Sequence, residues 1–443
     1  MTYKTRQWLY RLFILLFIIL TTYTSLYATG YQLNFRGGFR LNHLLVKTGT
    51  LALNSQPSGA NIYINDHRQT NFSFKISGDN NLNTPAKIKN LAPGEYDVRL
   101  EKDGYWTWEK KLDILAEQTT YAEDINLFKK DSLLNILECS CQEIDLSPNR
   151  RYLLLKQGQK IIDLKNNKET KLNLPDAIKQ EQWLSGSNKV LINNHLFDLD
   201  NGTDTDYQKI IGPDINQLFY QEADNRLYYQ YKNSLNYFDL NKKNSESLLS
   251  GDNYLSYYLK DNSIFFLVSQ DKKISLRSYD LNSKNLEELE LPFSSGYKFL
   301  DEPVKWLNIY DENNETLYVL DPGTLKPIRD AIKNFRGGVW LQADKLLYYT
   351  DFEIYLFDLK QNNKILINRI GEEINDLIWQ AKNNYIIYAT KTSLNTLDFA
   401  NNNIVKLLSA DNISSIFLDA KNNTLYFTAK VGDKSGLYKM IVQ

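Results

Sequence analysis

A strand-like segment that ends in aspartate recurs seven times in the C-terminal two thirds of the chain. Successive aspartates stand 35 to 41 residues apart, and an eighth segment carries Lys439 at the equivalent place, 41 residues after the last of them. Self-similarity at this spacing indicates one supersecondary unit per repeat, which buries its apolar face only against its neighbours. The seven aspartates are Asp163, Asp198, Asp239, Asp280, Asp321, Asp358 and Asp398.

Each unit repeats the same order of segments. An apolar segment with an aromatic residue is followed by an Asn/Asp/Lys turn, a second apolar segment, the segment that ends in aspartate and a polar segment. Four strands at this period predict a β-propeller over residues 129–443, with eight blades preferred and seven as the alternative if residues 144–174 are irregular. Aromatic residues that fill the gaps between blades are expected at Trp183, Tyr220, Tyr257 and Trp340.

The last unit is one strand short after Gln443. The apolar segment 133–137, which precedes the first full unit, is expected to supply the missing outer strand. This exchange closes the ring and removes exposed sheet edges, which are an aggregation hazard. The Trp-Asp dipeptides of WD repeats are absent, so that intracellular family is disfavoured.

The N-terminal segment places Lys4, Arg6 and Arg11 ahead of an apolar run from Leu12 to Ala28. The run is near the lower length limit for crossing a hydrocarbon core of roughly 30 Å. Because basic residues stay on the cytoplasmic side, residues 1–28 are predicted to be a short cytoplasmic tail and a single membrane anchor, with the rest extracytoplasmic. A signal peptide cleaved after Ala28 to Gly30 is the alternative, and it exports the same residues.

Residues 29–48 form the predicted juxtamembrane segment. It carries Arg36, Arg40, His43 and Lys47 among aromatic residues and leucines. Two interpretations stay open, namely contact with lipid headgroups and a membrane-proximal stalk.

From Gly49 the sequence alternates between apolar and polar residues, and turn residues bound each run, which predicts short half-buried strands. Four motifs follow in order, and they are Ser55, Pro57, Gly59 and Ala60; Thr84 and Pro85; Leu91, Pro93, Gly94 and Tyr96; and Gly104 and Tyr105. At these residues the chain resembles the PEGA domain family. The resemblance implies a small antiparallel β domain over 49–128, of a kind found outside bacterial and archaeal membranes, with no catalytic residue in its motifs. The interval between Asp66 and Thr84 predicts an enlarged loop.

Trp106 and Trp108 are two residues apart, so strand alternation places them on one face. Packing against a sheet face is one interpretation of this pair, and an exposed binding site is the other.

Composition and motifs exclude several classes of function. Lys and Arg number 52 against 53 Asp and Glu, a net charge of −1, which gives no basic excess for nucleic acid. The two cysteines, Cys139 and Cys141, are too few and too close for a disulfide framework, and the histidines His43, His67 and His195 are scattered. No nucleophile elbow, zinc-protease helix or phosphate loop motif occurs.

One local cluster of carboxylates stands apart, formed by Asp198, Asp200, Asp204 and Asp206. Oxygen ligands at this density suit a hard cation, so these four are the candidate calcium ligands. The glycine lies one place early for an EF-hand loop and the distal glutamate is absent, so a solvated turn is the alternative. No other cofactor is expected.

These features predict an all-β, membrane-anchored protein of the bacterial envelope, in which the propeller binds a cell-surface polysaccharide or protein without catalysis. A propeller hydrolase or lyase is the competing hypothesis. Its discriminator is a group of inward-facing carboxylates with His or Arg at one end of the central opening. An assembly or sensor subunit, which relays binding to membrane partners, is a third hypothesis.

Overall fold

The computed structural model describes residues 3–33, 45–70, 81–139, 143–186, 188–251, 254–399 and 402–443. Helix α1, Tyr3–Ala28, is long and apolar enough to cross a membrane, and none of its hydrophobic window is buried against the protein. Strands β1 (Tyr31–Leu33) and β2 (Leu45–Lys47) then pair antiparallel. Of the predicted juxtamembrane cations, Lys47 pairs with Glu117, whereas Arg36, Arg40 and His43 lie outside the described residues.

Two sheets follow, which share one core. Their strands are β3 (Gly49–Gln56), β4 (Asn61–Ile64), β5 (His67–Arg68), β6 (Ala86–Leu91), β7 (Gly94–Glu101), β8 (Trp108–Ile114) and β9 (Thr119–Asn126). The sheet orders are β5-β4-β7-β8 and β6-β3-β9. Leu51, Ile62, Val98 and Trp108 are buried between them. The predicted enlarged loop is only partly visible, because 71–80 lie outside the described residues.

One pairing in this unit departs from the antiparallel expectation. Strands β3 and β9 run parallel, whereas the other pairs of the unit are antiparallel. The two strands are the first and last of the unit, and the chain between them passes through the second sheet. A parallel pair requires a long crossover of this kind.

The chain then forms β10 (Leu134–Glu138) and eight successive sheets among the described residues. Sheets 1 to 4 contain β11 (Ile144–Leu146), β12 (Tyr152–Leu155), β13 (Lys160–Asp163) and β14 (Lys168–Lys171); β15 (Glu181–Trp183), β16 (Lys189–Ile192), β17 (His195–Asp198) and β18 (Thr203–Asp206); β19 (Ile215–Gln221), β20 (Arg226–Tyr231), β21 (Ser234–Asp239) and β22 (Asn244–Ser250); and β23 (Tyr254–Lys260), β24 (Ser263–Gln270), β25 (Lys273–Asp280) and β26 (Leu286–Leu291). A short helix, α2 (Gln208–Ile211), joins sheets 2 and 3. Residues 144–174, on whose irregularity the seven-unit alternative depended, hold all four strands of sheet 1.

Sheets 5 to 8 continue the series. They contain β27 (Tyr297–Leu300), β28 (Leu307–Asp311) and β29 (Thr316–Leu320); β30 (Gly337–Gln342), β31 (Lys345–Tyr349), β32 (Glu353–Asp358) and β33 (Asn363–Arg369); β34 (Ile374–Gln380), β35 (Tyr385–Thr390), β36 (Ser393–Asp398) and β37 (Ile404–Ser409); and β38 (Asp411–Leu418), β39 (Thr424–Val431) and β40 (Lys434–Ile441). In sheet 5 two isolated bridges, Leu320 with Pro327 and Leu317 with Ile332, stand in place of a fourth strand.

The first strand of each sheet is the inner one. Neighbouring first strands are in contact, as β30 is with β34 and β34 with β38. In the fourth strand of sheet 1, β14, all four residues are exposed. Each pair of consecutive sheets shares an apolar cluster, and the remaining cluster joins sheet 8 to sheet 1 through Phe417, Tyr426, Leu153 and Ile162. The array is therefore a closed β-propeller.

Strand β10 closes the ring, as the sequence predicts. It pairs antiparallel with β40 as the outer strand of sheet 8. Gly436 allows this pairing, because a Cβ at that position would lie 2.3 Å from the carbonyl oxygen of Leu137. A larger residue would force the two strands apart.

The recurrent aspartate forms the turn from the third strand to the fourth. In the six units from Asp163 to Asp358 its Oδ1 accepts a backbone N–H two or three residues later, the usual geometry of an Asx turn. Residues 400 and 401, which follow Asp398, lie outside the described residues. In sheet 3, for example, Asp239 accepts from Asn241 and Lys242. Sheet 8 needs no such turn because its outer strand is β10, which explains why Lys439 occupies the aspartate position.

Candidate functional site

Side-chain hydrogen bonds join the inner strands around the central opening. Gln182 of sheet 2 donates to the carbonyl oxygen of Tyr220 in sheet 3 and accepts from its N–H, both at 2.9 Å. Gln217 donates across the next interface to the carbonyl oxygen of Leu255 at 3.1 Å. Asn375 does the same toward Ile413 at 2.9 Å. The wall of the opening is therefore a set of cross-linked strands rather than loosely packed edges.

Two half-buried carboxyl groups belong to this wall. Asp145 accepts the indole N–H of Trp183 at 2.6 Å and so joins sheets 1 and 2. Asp376 accepts the N–H of Ile416 at 2.8 Å and joins sheets 7 and 8. Burial raises the pKa of Asp145 above its ordinary value, and it raises the pKa of Asp376 to about 6.

The inner strands are β11, β15, β19, β23, β27, β30, β34 and β38. As a set they carry carboxylates but neither His nor Arg. Their cations are Lys260 and Lys298. The pairing of carboxylates with His or Arg, which the hydrolase hypothesis requires, is therefore missing from these eight strands. Whether the protein is catalytic stays untested.

A third carboxyl group with a raised pKa lies where the inner strands of sheets 4 and 5 end. Burial, together with the neighbouring charge of Asp301, raises the pKa of Glu302 to about 7, and Lys260 opposes the change. Tyr258 donates to Asp301 at 2.5 Å and stacks on Phe299. Two adjacent carboxyl groups, one of which has a raised pKa, are an arrangement that acid–base chemistry can use.

The two folded units of the chain are in direct contact. Asn126, at the end of β9, donates to the carbonyl oxygen of Asn383 in the first turn of sheet 7 at 3.0 Å, and it accepts from Gln443 at 3.1 Å. The side chains of Asn383 and Gln443 also hydrogen-bond to each other. These three amides hold the end of the small β domain, the end of β40 and sheet 7 together.

Apolar contacts reinforce this interface. Phe128 is 2% exposed and packs edge-on against Tyr385 of sheet 7, with ring centroids 4.9 Å apart. It belongs to the apolar cluster between sheets 7 and 8, and half-buried Trp106 packs on the same cluster. The backbone N–H of Lys129 donates to Val442 at 2.8 Å. Phe128 thus anchors the small domain on the propeller.

A polar cleft of about 240 Å³ opens beside this interface. The small domain contributes Gln56, Asp124 and Asn126, and sheet 7 contributes Lys382, Asn383, Asn384 and Asp398. The lining therefore combines an ammonium group, amides and carboxylates from both units.

Trp106 and Trp108 do not share a face, so the placement that strand alternation predicts for this pair is wrong. Trp108 is 1% exposed and lies in the core of the small domain, whereas Trp106 precedes β8 and packs on the propeller. Strand alternation does not apply to Trp106, because β8 begins only at Trp108.

The motif residues of the small domain bind one another. The hydroxyl groups of Ser55 and Thr84 are 2.6 Å apart, and the Thr84 hydroxyl accepts the N–H of Ala60 at 3.0 Å. The N–H of Gly59 donates to the carbonyl oxygen of Thr84 at 2.7 Å. Tyr96 closes its own turn by donating to Ala92 at 2.8 Å. The motifs are therefore structural.

The four candidate calcium ligands are divided between two places. Asp198 accepts N–H groups of the turn that contains Asp200, and Asp200 accepts from Asn188 at 2.5 Å. Asp204 and Asp206 instead flank His195, with Asp204 at 3.0 Å from its Nδ1. Among the described residues no group of three or more His, Cys, Asp or Glu side chains converges as a metal site. Calcium binding at this hairpin stays a prediction.

Cys139 and His67, which the sequence analysis also named, lie away from the sites described above. Cys139 is disulfide-bonded, and the second cysteine of the chain, Cys141, lies outside the described residues. His67 lies exposed at the start of β5.

Comparison with known proteins agrees with the two-unit organisation. The PEGA domain family model matches residues 48–129, so the chain combines a PEGA domain with a β-propeller. The chain has no match among the curated proteins.

Similar solved structures are distant. They include a eukaryotic initiation factor (14% identity, TM-score 0.48, 68% of this chain and 87% of that chain) and the Dos1 propeller (14%, 0.47, 70% and 94%). Dipeptidyl peptidase 4 of Porphyromonas gingivalis is a third (12%, 0.45, 66% and 57%). These similarities carry no argument about function.

Sequence reasoning missed the contact between the PEGA domain and the propeller. No sequence signal marks this contact, because the tetrapeptide Ala-Lys-Asn-Asn occurs at 381–384 and again at 420–423. Only tertiary structure distinguishes these two turns, since Asn126 contacts the first of them and Arg150 contacts Asn422 in the second.

Proposed function

We propose that this protein is a membrane-anchored, extracytoplasmic binding protein, in which the propeller and the PEGA domain together contact an envelope polysaccharide or protein. The contact between the two units carries this proposal. A binding surface held at a set orientation to the membrane is what a surface receptor or scaffold requires, because rigid presentation lowers the entropic cost of binding.

The connection toward the membrane supports the same function. The N–H and the hydroxyl group of Thr48 both donate to the carbonyl oxygen of Gly30, at 2.8 and 2.9 Å, directly after the end of α1. Lys47 pairs with Glu117 on the facing turn. The PEGA domain is thereby held close to the end of the apolar helix, and the propeller is held to the PEGA domain.

The test is retention of the full chain on native envelope material. The chain in phospholipid nanodiscs is incubated with insoluble cell-wall polysaccharide and, separately, with solubilised envelope proteins. Retention that is saturable and lost on urea unfolding is expected. If neither material retains the folded protein above an unrelated anchored protein, the proposed binding function is wrong.

The Glu302 group favours a second candidate, a hydrolase or lyase that acts outside the membrane. Asp301 and Glu302 would provide the two neighbouring carboxyl groups that acid–base catalysis uses. Release of soluble fragments from envelope polysaccharide should then fall at least a hundredfold in Glu302→Gln, while Glu312→Gln, an exposed carboxylate of the same sheet, retains the rate. Equal release by the two variants, or none by the native chain, contradicts this candidate.

A further inference from the structure

The cleft between the PEGA domain and sheet 7 differs from the rest of the interface in its chemistry. Phe128 and Trp106 form the apolar part, whereas the cleft presents almost only polar side chains. Small-molecule sites commonly occur at such boundaries between domains.

The floor of the cleft is held by fixed amides. Asn126 is 3% exposed and is bound to Asn383 and Gln443, as described above. The N–H of Asn383 is in turn held by the side-chain oxygen of Gln380 at 2.6 Å. A floor fixed in this way presents its donors and acceptors without further ordering.

The walls carry exposed groups of both hydrogen-bonding types. Gln56, Asp124, Lys382 and Asn384 are exposed. Within the described ranges, neither Asp124 nor Lys382 takes part in an ion pair. A carboxylate only accepts, an ammonium only donates, and an amide does both.

We infer that this cleft binds a single neutral saccharide unit of an envelope polysaccharide. Each hydroxyl group of a sugar donates and accepts at once, so vicinal hydroxyls match a lining that includes both Asp124 and Lys382. The volume of about 240 Å³ lies below the roughly 300 Å³ at which drug-sized pockets begin, which suits one sugar ring. The inference rests on the proposed function and names its ligand class.

The repeated turn provides a matched control. Lys382 and Lys421 occupy the same place in identical tetrapeptides, but only Lys382 lines the cleft. Glu123 is the matched control for Asp124. It precedes Asp124 in β9 and is exposed, but it does not line the cleft.

The experiment is saturation-transfer NMR of the full chain in phospholipid nanodiscs, which avoids sugar-based detergents. The probes are glucose, galactose, rhamnose and N-acetylglucosamine. Transfer to at least one sugar is expected, with affinity at least tenfold lower in Asp124→Ala and Lys382→Ala and unchanged in Glu123→Ala and Lys421→Ala. No transfer to any probe, or equal transfer to all four variants, overturns the inference.

Retention on cell-wall polysaccharide separates this inference from the proposed function. If the native chain is retained and Asp124→Ala is retained equally, the cleft is not the contact and the inference falls, while the proposed function stands. If the native chain is not retained on any envelope material, the proposed function falls, whatever the sugars show.

Discussion

Asn126 of the PEGA domain donates a hydrogen bond of 3.0 Å to the carbonyl oxygen of Asn383 in the propeller, across 257 residues of chain. The bond joins the PEGA domain to the propeller, and each of these two units has its own core. Strand β10, which closes the propeller ring, follows the PEGA domain directly. The segment that holds the two domains together therefore lies next to the segment that closes the ring.

Phe128→Ala should destabilise the contact between domains. The side chain is almost fully buried in the cluster shared by sheets 7 and 8, and removal of a buried phenylalanine costs about 3–5 kcal/mol. Calorimetry should show a lower melting temperature and separate transitions for the two units. Phe293→Ala, at a side chain 68% exposed, is the control and should leave the melting curve unchanged. A single transition at the native temperature in Phe128→Ala would contradict the interface.

Gly436→Ala should weaken ring closure. The new methyl group would meet the carbonyl oxygen of Leu137, and overpacking of this kind costs about 1–3 kcal/mol. Urea unfolding should shift to lower concentration, and amide exchange should rise in β10 and β40. Gly371→Ala, where the added carbon meets nothing within 4 Å, is the matched control. Equal unfolding midpoints for the two variants would show that the strand exchange does not carry stability.

Asp163→Ala should open the turn into the fourth strand of sheet 1. Burial alone would raise the pKa of Asp163, but hydrogen bonds from Arg151 and the N–H of Lys165 lower it below its ordinary value. Loss of these bonds should cost about 1–3 kcal/mol, while Asp163→Asn should lose less because it still accepts.

The same carboxyl group predicts a pH dependence. Since its pKa is lowered in the folded protein, its stabilising contribution is complete above the ordinary value of 3.8 and is lost as the pH falls through the folded-state value. Acid denaturation of the native chain should therefore be steeper than that of Asp163→Asn. Identical acid transitions in the two proteins would show that this pair does not contribute.

Glu302→Gln should stabilise the protein at alkaline pH. Burial raises the pKa of Glu302 to about 7 from an ordinary 4.5, so its contribution is complete below the ordinary value and declines as the pH rises through the folded-state value. The variant should be more stable by about 2–3 kcal/mol at most well above that pKa and equal to the native chain well below it. Thermal melts at both extremes measure this difference, and a constant offset would contradict the assignment.

Residues 1–28 should hold the chain on the membrane. The full chain should sediment with membranes and resist alkaline extraction, because α1 exposes a continuous apolar surface. Leu16→Arg places a charge in the middle of that surface and should release a fraction of the protein, whereas Leu16→Ile should not. Detection of an N-terminal tag in mature protein distinguishes an anchor from a cleaved signal peptide.

Local sequence predicted the repeated sheets because each sheet is built from neighbouring segments. The spacing of Asp163 through Asp398 reflects a turn that sheets 1 to 7 share, and sheet 8 carries Lys439 instead because its outer strand comes from elsewhere in the chain. The PEGA motifs were equally readable, since Ser55, Gly59 and Thr84 stand in a recognisable order, although the hydrogen bond between Ser55 and Thr84 spans 29 residues.

The candidate site was not readable in the same way. Glu302, Trp106 and the Asn126 contact acquire their properties from residues of other sheets or of the other domain. Nothing periodic marks them, and the identical turns at 381–384 and 420–423 show that equal sequence acquires different surroundings. The sequence by itself therefore determined the modules and their order, because strand patterns and turns are short-range. Only the tertiary structure decided which surfaces meet and which carboxyl groups lose their water, because those depend on packing between distant segments.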